Sequence, residues 1–271
     1  MRTSDRTGRL GIWLAGAVIV VVIGWAVTPG LFTRRDPYAV DPSNTFRAPG
    51  AAHWFGTDNL GRDLFARVVY GTASSVPAAL LAVTVALIVG GSLGLFAGYF
   101  GGVIDSIAVR VIDVVLSVPS FLLAISLITT LGFGTINVAL AIGIVSIGTV
   151  ARLARSEVVR IRSRPYVTAA LVSGRSHLEV VLLHVLPNSS RPVAALAALE
   201  FAAAVLGISA MSFLGFGAAP PSPEWGALIA AGRGSVSTEW WLSIAPGVVV
   251  AAVVVAVNVL SSYLQPKEAG S

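Results

Sequence analysis

The sequence predicts an all-α integral membrane protein with six transmembrane helices. Two observations carry that reading. Hydrophobic residues make up 55% of the 271 and charged residues only 11%, with a mean hydropathy of +0.85, which sets the chain apart from a soluble domain of this length. Uncharged runs long enough to cross a hydrocarbon core ~30 Å thick, roughly 20 helical residues, recur along it. They place spans at about 10–28, 74–99, 106–131, 135–151, 193–216 and 241–263. The uncharged stretch 114–151 is too long for one crossing, and Gly132 and Gly134 supply the turn that divides it.

Orientation follows from the basic residues. Arg2, Arg6 and Arg9 precede the first span, seven arginines from Arg152 to Arg191 crowd the loop between spans four and five, and Lys267 follows the last. Six crossings put these groups on one face, read as cytoplasmic. The chain is thus expected in a bacterial cytoplasmic (inner) membrane, multi-pass, with both termini inside. It divides into a cytoplasmic N-terminus and first helix (1–29), an extracytoplasmic segment (30–72), a five-helix core (73–265) containing a cytoplasmic loop (152–191), and a cytoplasmic tail (266–271). The outer segment holds five arginines nearly balanced by Asp36, Asp41, Asp58 and Asp63, and the charge rule is weak for so long a segment. The first span has arginines before an apolar core, as a signal peptide does. Its core runs to about Val27 without a small-x-small cleavage site, so it reads as an uncleaved anchor.

Several activities are excluded. The pI of about 10.2 comes from membrane-flanking loops, and no nucleic-acid motif accompanies it. Cysteine is absent, which removes disulfides, thiol chemistry and Cys-ligated metals. Lys267 is the only lysine, whereas a P-loop needs one inside its glycine-rich turn to reach the phosphates. This chain is therefore no P-loop ATPase and uses no Schiff-base lysine. His53, His177 and His184 form no H-E-x-x-H zinc site, and no G-x-S-x-G elbow occurs. No enzymatic role, metal or cofactor of its own is expected.

Residues 165–188 form a polar, Arg-flanked segment between long apolar runs, a pattern of helix, glycine, helix. Pro165 suits a first helical position, where its missing N–H is no loss. Gly174 can take the left-handed conformation that ends a helix. Ser176 and Glu179 make an S-x-x-E capping box that restarts one. Leu178, Val181, Leu182 and Val185 then form an apolar stripe, and Pro187 is expected to close the second helix. Two short helices at an angle make a docking knob.

The same segment resembles the EAA loop of ABC-importer membrane subunits. Ala169, Ala170, Gly174, Leu186 and Pro187 match at the required spacing; Thr168 stands where the family usually has Glu, and His184 at an often aliphatic position. Residues 53–63, HWFGTDNLGRD, resemble the HPFGTDxxGRD block of the C-type permease subunits of dipeptide, oligopeptide and nickel importers. Residues 212–226, SFLGFGAAPPSPEWG, resemble SFLGLGxxPPxPxWG of the same group, and DVVLSVPSFLLAI (113–125) matches its counterpart. The resemblance implies a type I ABC-importer permease fold with cytoplasmic coupling helices, built here from Thr168, Ala169, Ala170, Gly174, Ser176, Glu179, His184, Leu186 and Pro187. It implies a second homologous permease subunit, one or two cytoplasmic ATPases that use ATP and Mg, and an extracytoplasmic binding protein. Peptides are the implied cargo, with nickel or haem as alternatives. The competing class is a stand-alone secondary transporter, which would need coupling charges in the membrane.

The remaining candidates have a functional and a structural reading side by side. Thr57 is expected to cap a short helix, with Leu64, Phe65, Val68 and Val69 as its apolar stripe. Asp58, Arg62 and Asp63 could shape an outer gate or receive the binding protein, or Arg62 could merely tie the loop to those carboxylates. Trp225, after Pro220, Pro221 and Pro223, rigidifies the outer loop or takes part in gating. Gly90, Gly94 and Gly98 repeat at the spacing of close helix packing. Pro119 predicts a kink near Val115, with Ser117 and Ser120 satisfying freed backbone. Arg110 and Asp113 are expected to pair locally. Glu200, alone in span five, either serves the translocation pathway or pairs structurally, and Asn258 in span six poses a weaker version of that question. Pro119, Ser120, Glu200 and Asn258 are the pathway candidates.

Overall fold

Every long apolar run is helical in the computed structural model, which describes residues 3–264; Arg2 and Lys267 lie outside the described residues. Helix α1 spans Thr3–Val27. Helix α2, Leu64–Phe100, is 37 residues long, with one π-helical stretch at Ala86–Gly90. Helices α3 (Gly102–Ser117) and α4 (Ser120–Leu131) meet at 89°. Helix α5 is Thr135–Arg162, α6 is Pro165–Val172 and α7 is His177–Val180. A π-helical stretch, Val181–Val185, leads into α8, Leu186–Phe213. Helices α9 (Trp225–Ala231) and α10 (Trp241–Leu264) follow. Among the described residues, five helices (α1, α2, α5, α8 and α10) are long and apolar enough to cross a membrane, and the bent α3–α4 pair makes a sixth span if its two halves count as one.

Several boundaries depart from the sequence expectation, each for a local reason. Helix α2 begins at Leu64 because the Asp63 carboxylate caps it, accepting the Ala66 N–H at 2.8 Å. Thr57 caps nothing; its hydroxyl donates to the Asn44 carbonyl and accepts the Arg47 N–H at 2.8 Å. The expected stripe belongs to α2 itself, with Leu64, Val68 and Val69 buried and Phe65 under the rings of Trp25, Trp54 and Phe55. Span three is broken rather than kinked. Val118 sits at φ −83°, ψ 130°, the extended region that a following proline imposes, and Pro119 then opens α4 as its N-cap residue. Pro187 does not close the second hairpin helix: it lies in the first turn of α8, where proline lacks only an N–H that has no partner anyway. Asp113 pairs not with Arg110 but with Arg152 of α5, at 2.7 Å.

Two interfaces position everything else. At the end that bears the hairpin 165–188, α2 lies directly on α5. A Cβ at Gly90 would stand 2.6 Å from the Ile147 carbonyl oxygen, at Gly94 2.5 Å from that of Ala151, and at Gly98 2.8 Å from that of Arg155. Only hydrogen fits, and the two backbones touch over three turns. Arg155 adds a two-pronged ion pair to Asp105 of α3, with Nη2 to Oδ2 at 2.6 Å. At the opposite end, fully buried Trp225 donates its indole N–H to the Val68 carbonyl at 3.1 Å. Glu224, also fully buried, accepts the N–H groups of Gly226 and Ala227 at 3.0 Å each and the Ser75 hydroxyl at 3.4 Å. Burial pushes the Glu224 carboxyl above its ordinary pKa, opposed by these donors. Helix α9 is thereby pinned between α2 and α8.

Gly94→Val tests the inner interface. It forces a β-branched side chain against the Ala151 carbonyl and should lower stability by about 1–3 kcal/mol or more, read as a reduced detergent melting temperature and folded yield. Gly91→Ala, on the same helix where a Cβ meets nothing within 4 Å, should leave both unchanged.

Candidate functional site

The hairpin 165–188 is built from the punctuation its sequence carries. Pro165 opens α6, and Gly174 takes φ +84°, a conformation side chains resist. The Ser176 N–H then donates to Glu179 Oε2 at 2.8 Å, and the Glu179 N–H to Ser176 Oγ at 3.3 Å, closing the capping box. The Ser176 backbone N–H, and then its hydroxyl, hold the Glu179 carboxyl below the ordinary glutamate pKa, so the cap is charged and complete at neutral pH.

Beneath this tip lies a small separate core of Tyr99, Val158, Ile161, Val167, Val180 and Val185, each 4% exposed or less. It joins the hairpin to the C-terminal ends of α2 and α5. Tyr99 adds direction: its hydroxyl lies 2.9 Å from His177 Nδ1, its ring meets the imidazole edge-on, and the Arg162 guanidinium sits 5.9 Å from the ring centroid. Of the predicted residues, Thr168, Ala169, Gly174, Ser176, Glu179, Leu186 and Pro187 are exposed and Ala170 is half-buried. His184 is half-buried beside Tyr166, its Nε2 without a hydrogen-bond partner. The outer surface of the hairpin is apolar and uncovered, with Val172 84% and Leu178 68% exposed.

A second site lies where span three breaks. A cavity of about 360 Å³ opens between α4, α5 and α8, with Ser120, Ser146, Thr149 and Glu200 among otherwise apolar walls. Pro119 turns the chain so that Ser120 and Phe121 reach this wall. Ser146 is the hydroxyl beside the Glu200 carboxylate. Asn258 is on the outside of the helix cluster, where its amide donates to the Val254 carbonyl of its own helix at 2.9 Å rather than to a neighbouring one.

In the outer segment, the carboxylates act as straps. Asp58 accepts the Leu60 and Arg62 N–H groups and pairs with Arg62 Nε at 2.7 Å. Asp63, besides capping α2, meets His53 Nδ1 at 2.8 Å. Arg67, itself buried, donates to the carbonyls of Pro37 at 3.1 Å and Pro221 at 3.2 Å. These contacts join the segment before α2 to the loop before α9.

Three participants were not read from sequence. Glu224 caps α9 although glutamate is not among the residues that favour an N-cap, so its role had little local signal. The Tyr99–His177 contact joins residues 78 apart, and the Asp105–Arg155 pair spans 50; no local spacing signals either.

Sequence comparison agrees with this architecture. Residues 90–269 match the model of the binding-protein-dependent transport system inner membrane component, and the chain belongs to that family. It is 38% identical over 253 residues to the dipeptide transport system permease protein DppC of Alkalihalophilus pseudofirmus, covering 93% of this chain and 83% of that one. It is 37% identical to the di/tripeptide transport system permease protein DppC of Pseudomonas aeruginosa, over 85% of this chain and 76% of the relative. It is 32% identical to the glutathione transport system permease protein GsiD of Pectobacterium atrosepticum, over 92% and 82% respectively. Among solved structures, an amino acid ABC transporter crystallised with histidines superposes with a TM-score of 0.56 at 16% identity, over 74% of this chain and 93% of that one. The fold is thus that of a transporter's membrane subunit. The family works with a binding protein and a separate ATPase in the inner membrane.

Tyr99→Phe separates the hydroxyl from the ring. The small core should hold, while amide exchange at residues 176–180 should quicken by about tenfold or less, the worth of one hydrogen bond. Unchanged exchange would show that the Tyr99–His177 contact does not hold the hairpin.

Proposed function

We propose that this chain is one of two homologous membrane subunits of an ATP-driven importer of dipeptides and other short peptides, with hairpin 165–188 as the element its ATPase grips. One observation carries the reading: the hairpin has its own buried core yet presents Val172, Leu178, Leu182 and Leu183 uncovered. Exposed apolar groups on a rigid knob outside the bilayer suit a protein partner. Gly174, Ser176 and Glu179 shape the knob, and Thr168, Ala169, Ala170, His184, Leu186 and Pro187 flank it. ATP and Mg act on the partner, since this chain has no P-loop lysine. The arginines around the hairpin support a cytoplasmic face for it and for both termini.

The uncovered apolar flank of α3 and α4, including Ile107, Val114 and Phe121, supports a second membrane subunit closing the pathway, with lipid around the rest. Pro119, Ser120 and Glu200 then line the passage, and Asn258 lies at its margin. The strapped outer segment, with Asp58, Arg62 and Asp63 and with Trp225 beneath it, is a rigid frame for the outer gate and the binding protein. The dipeptide, di/tripeptide and glutathione permeases among its relatives support short peptides as cargo.

Leu178→Glu places a charge in the proposed contact and should lower ATPase-subunit affinity by about 2 kcal/mol, the scale of an interface anchor. Gly174→Val strains the turn at φ +84° and should weaken association and uptake while membrane insertion persists. Co-purification and uptake in proteoliposomes read both, and unchanged assembly in the two variants would overturn the docking role.

A further inference from the structure

The Glu200 cavity has chemistry beyond a passive wall. Among the residues that line its roughly 360 Å³, Glu200 is the only ionisable one, and three hydroxyls, Ser120, Ser146 and Thr149, share the lining with it. A carboxylate on a membrane-spanning helix is expensive unless a cation or water meets it. Among the described residues, no arginine or histidine forms an ion pair with Glu200. The carboxylate is half-buried and faces a space large enough for a small molecule.

We propose that this cavity receives the protonated amino terminus of the passing peptide, with Glu200 as its counter-charge. An alkylammonium presents three N–H donors and no acceptor. One carboxylate and a set of hydroxyl oxygens is the complement of that group, whereas a substrate carboxylate would be repelled. The apolar remainder of the wall, Phe121, Val145 and Met211 among it, accommodates side chains by contact alone, and the thioether of Met211 adapts to varied shapes. The site thus selects the one feature that free-amino peptides share and tolerates the part in which they differ. Because the cavity is open and the carboxylate only half-buried, the contact is weak enough to release cargo, as a pathway site requires. This inference rests on the peptide-importer reading above.

The test uses the assembled transporter in proteoliposomes, with its binding protein, supplied with L-alanyl-L-alanine. Glu200→Gln should lower uptake per ATP hydrolysed by about tenfold, the loss of one charge-assisted contact. Glu200→Asp should restore most of it, and neither variant should change complex yield. Excess N-propionyl-L-alanine, the same skeleton without its ammonium, should not compete in the wild type once the cargo is already receptor-bound. Unchanged uptake by Glu200→Gln would overturn the site while leaving the importer reading intact. A parallel fall in complex yield would assign Glu200 to pairing with the second membrane subunit and overturn it equally. A wild-type assembly that moves no L-alanyl-L-alanine would sink the peptide reading, and this site with it.

Discussion

The approach of α2 to α5 along Gly90, Gly94 and Gly98 sets the geometry of the inner half of the molecule. Lipid offers helices little hydrophobic reason to associate, because the tails are as apolar as the side chains. What remains is close packing, and three glycines four residues apart allow backbone to meet backbone where any Cβ would lie 2.5–2.8 Å from a carbonyl oxygen. That contact brings the inner end of α2 beside α5 and delivers Tyr99, the residue after the last of these glycines, to the base of the hairpin. The small core beneath the hairpin draws Tyr99 from α2 and Val158 and Ile161 from α5, so it depends on the two helices lying side by side. Under the proposed coupling role, a displacement of the hairpin would carry α2 and α5 together, since packed elements move as bodies rather than deform.

The outer half is held differently. There, polar groups do the fastening: Asp58 and Asp63 strap the segment before α2, Arg67 joins the carbonyls of Pro37 and Pro221, and Glu224 caps α9 from a fully buried position. Buried polar groups of this kind are stabilising only when each finds a partner, which ties loops of distant sequence into one arrangement. The contrast matches the proposed labour of the two ends. In that proposal the hairpin end transmits movement and the opposite end presents a fixed frame.

Between them, the break at Val118–Pro119 turns span three through 89° and makes room for the Glu200 cavity. A gentle kink would have continued the helix across that space and filled it with side chains. The open side of the cavity and the uncovered flank of α3 and α4 lie in one region, so the arrangement suits a pathway completed by a second subunit.

Much of this was legible in the residues. Apolar run lengths located the membrane helices, because a hydrocarbon core demands a minimum uninterrupted stretch. Pro165, Gly174, Ser176 and Glu179 spelled out the hairpin, because each acts on the backbone within a turn of itself. Helix ends were read less well: α2 starts ten residues before the expected 74, and α8 absorbs Pro187. At α2 the helix expected separately over the Leu64–Val69 stripe runs on into the span, capped by Asp63, and at α8 Pro187 begins a helix instead of ending one. Pairings across the bundle were beyond local reading. Asp113 had Arg110 three residues away and met Arg152 instead, and Tyr99 found His177 across 78 residues. By itself the sequence determined where the chain must be helical and where its backbone must turn, since those are properties of short segments and their solvent. Which charges meet, and that Glu200 faces a cavity with Ser146 beside it, was decided by tertiary packing, because only the approach of whole helices sets those distances.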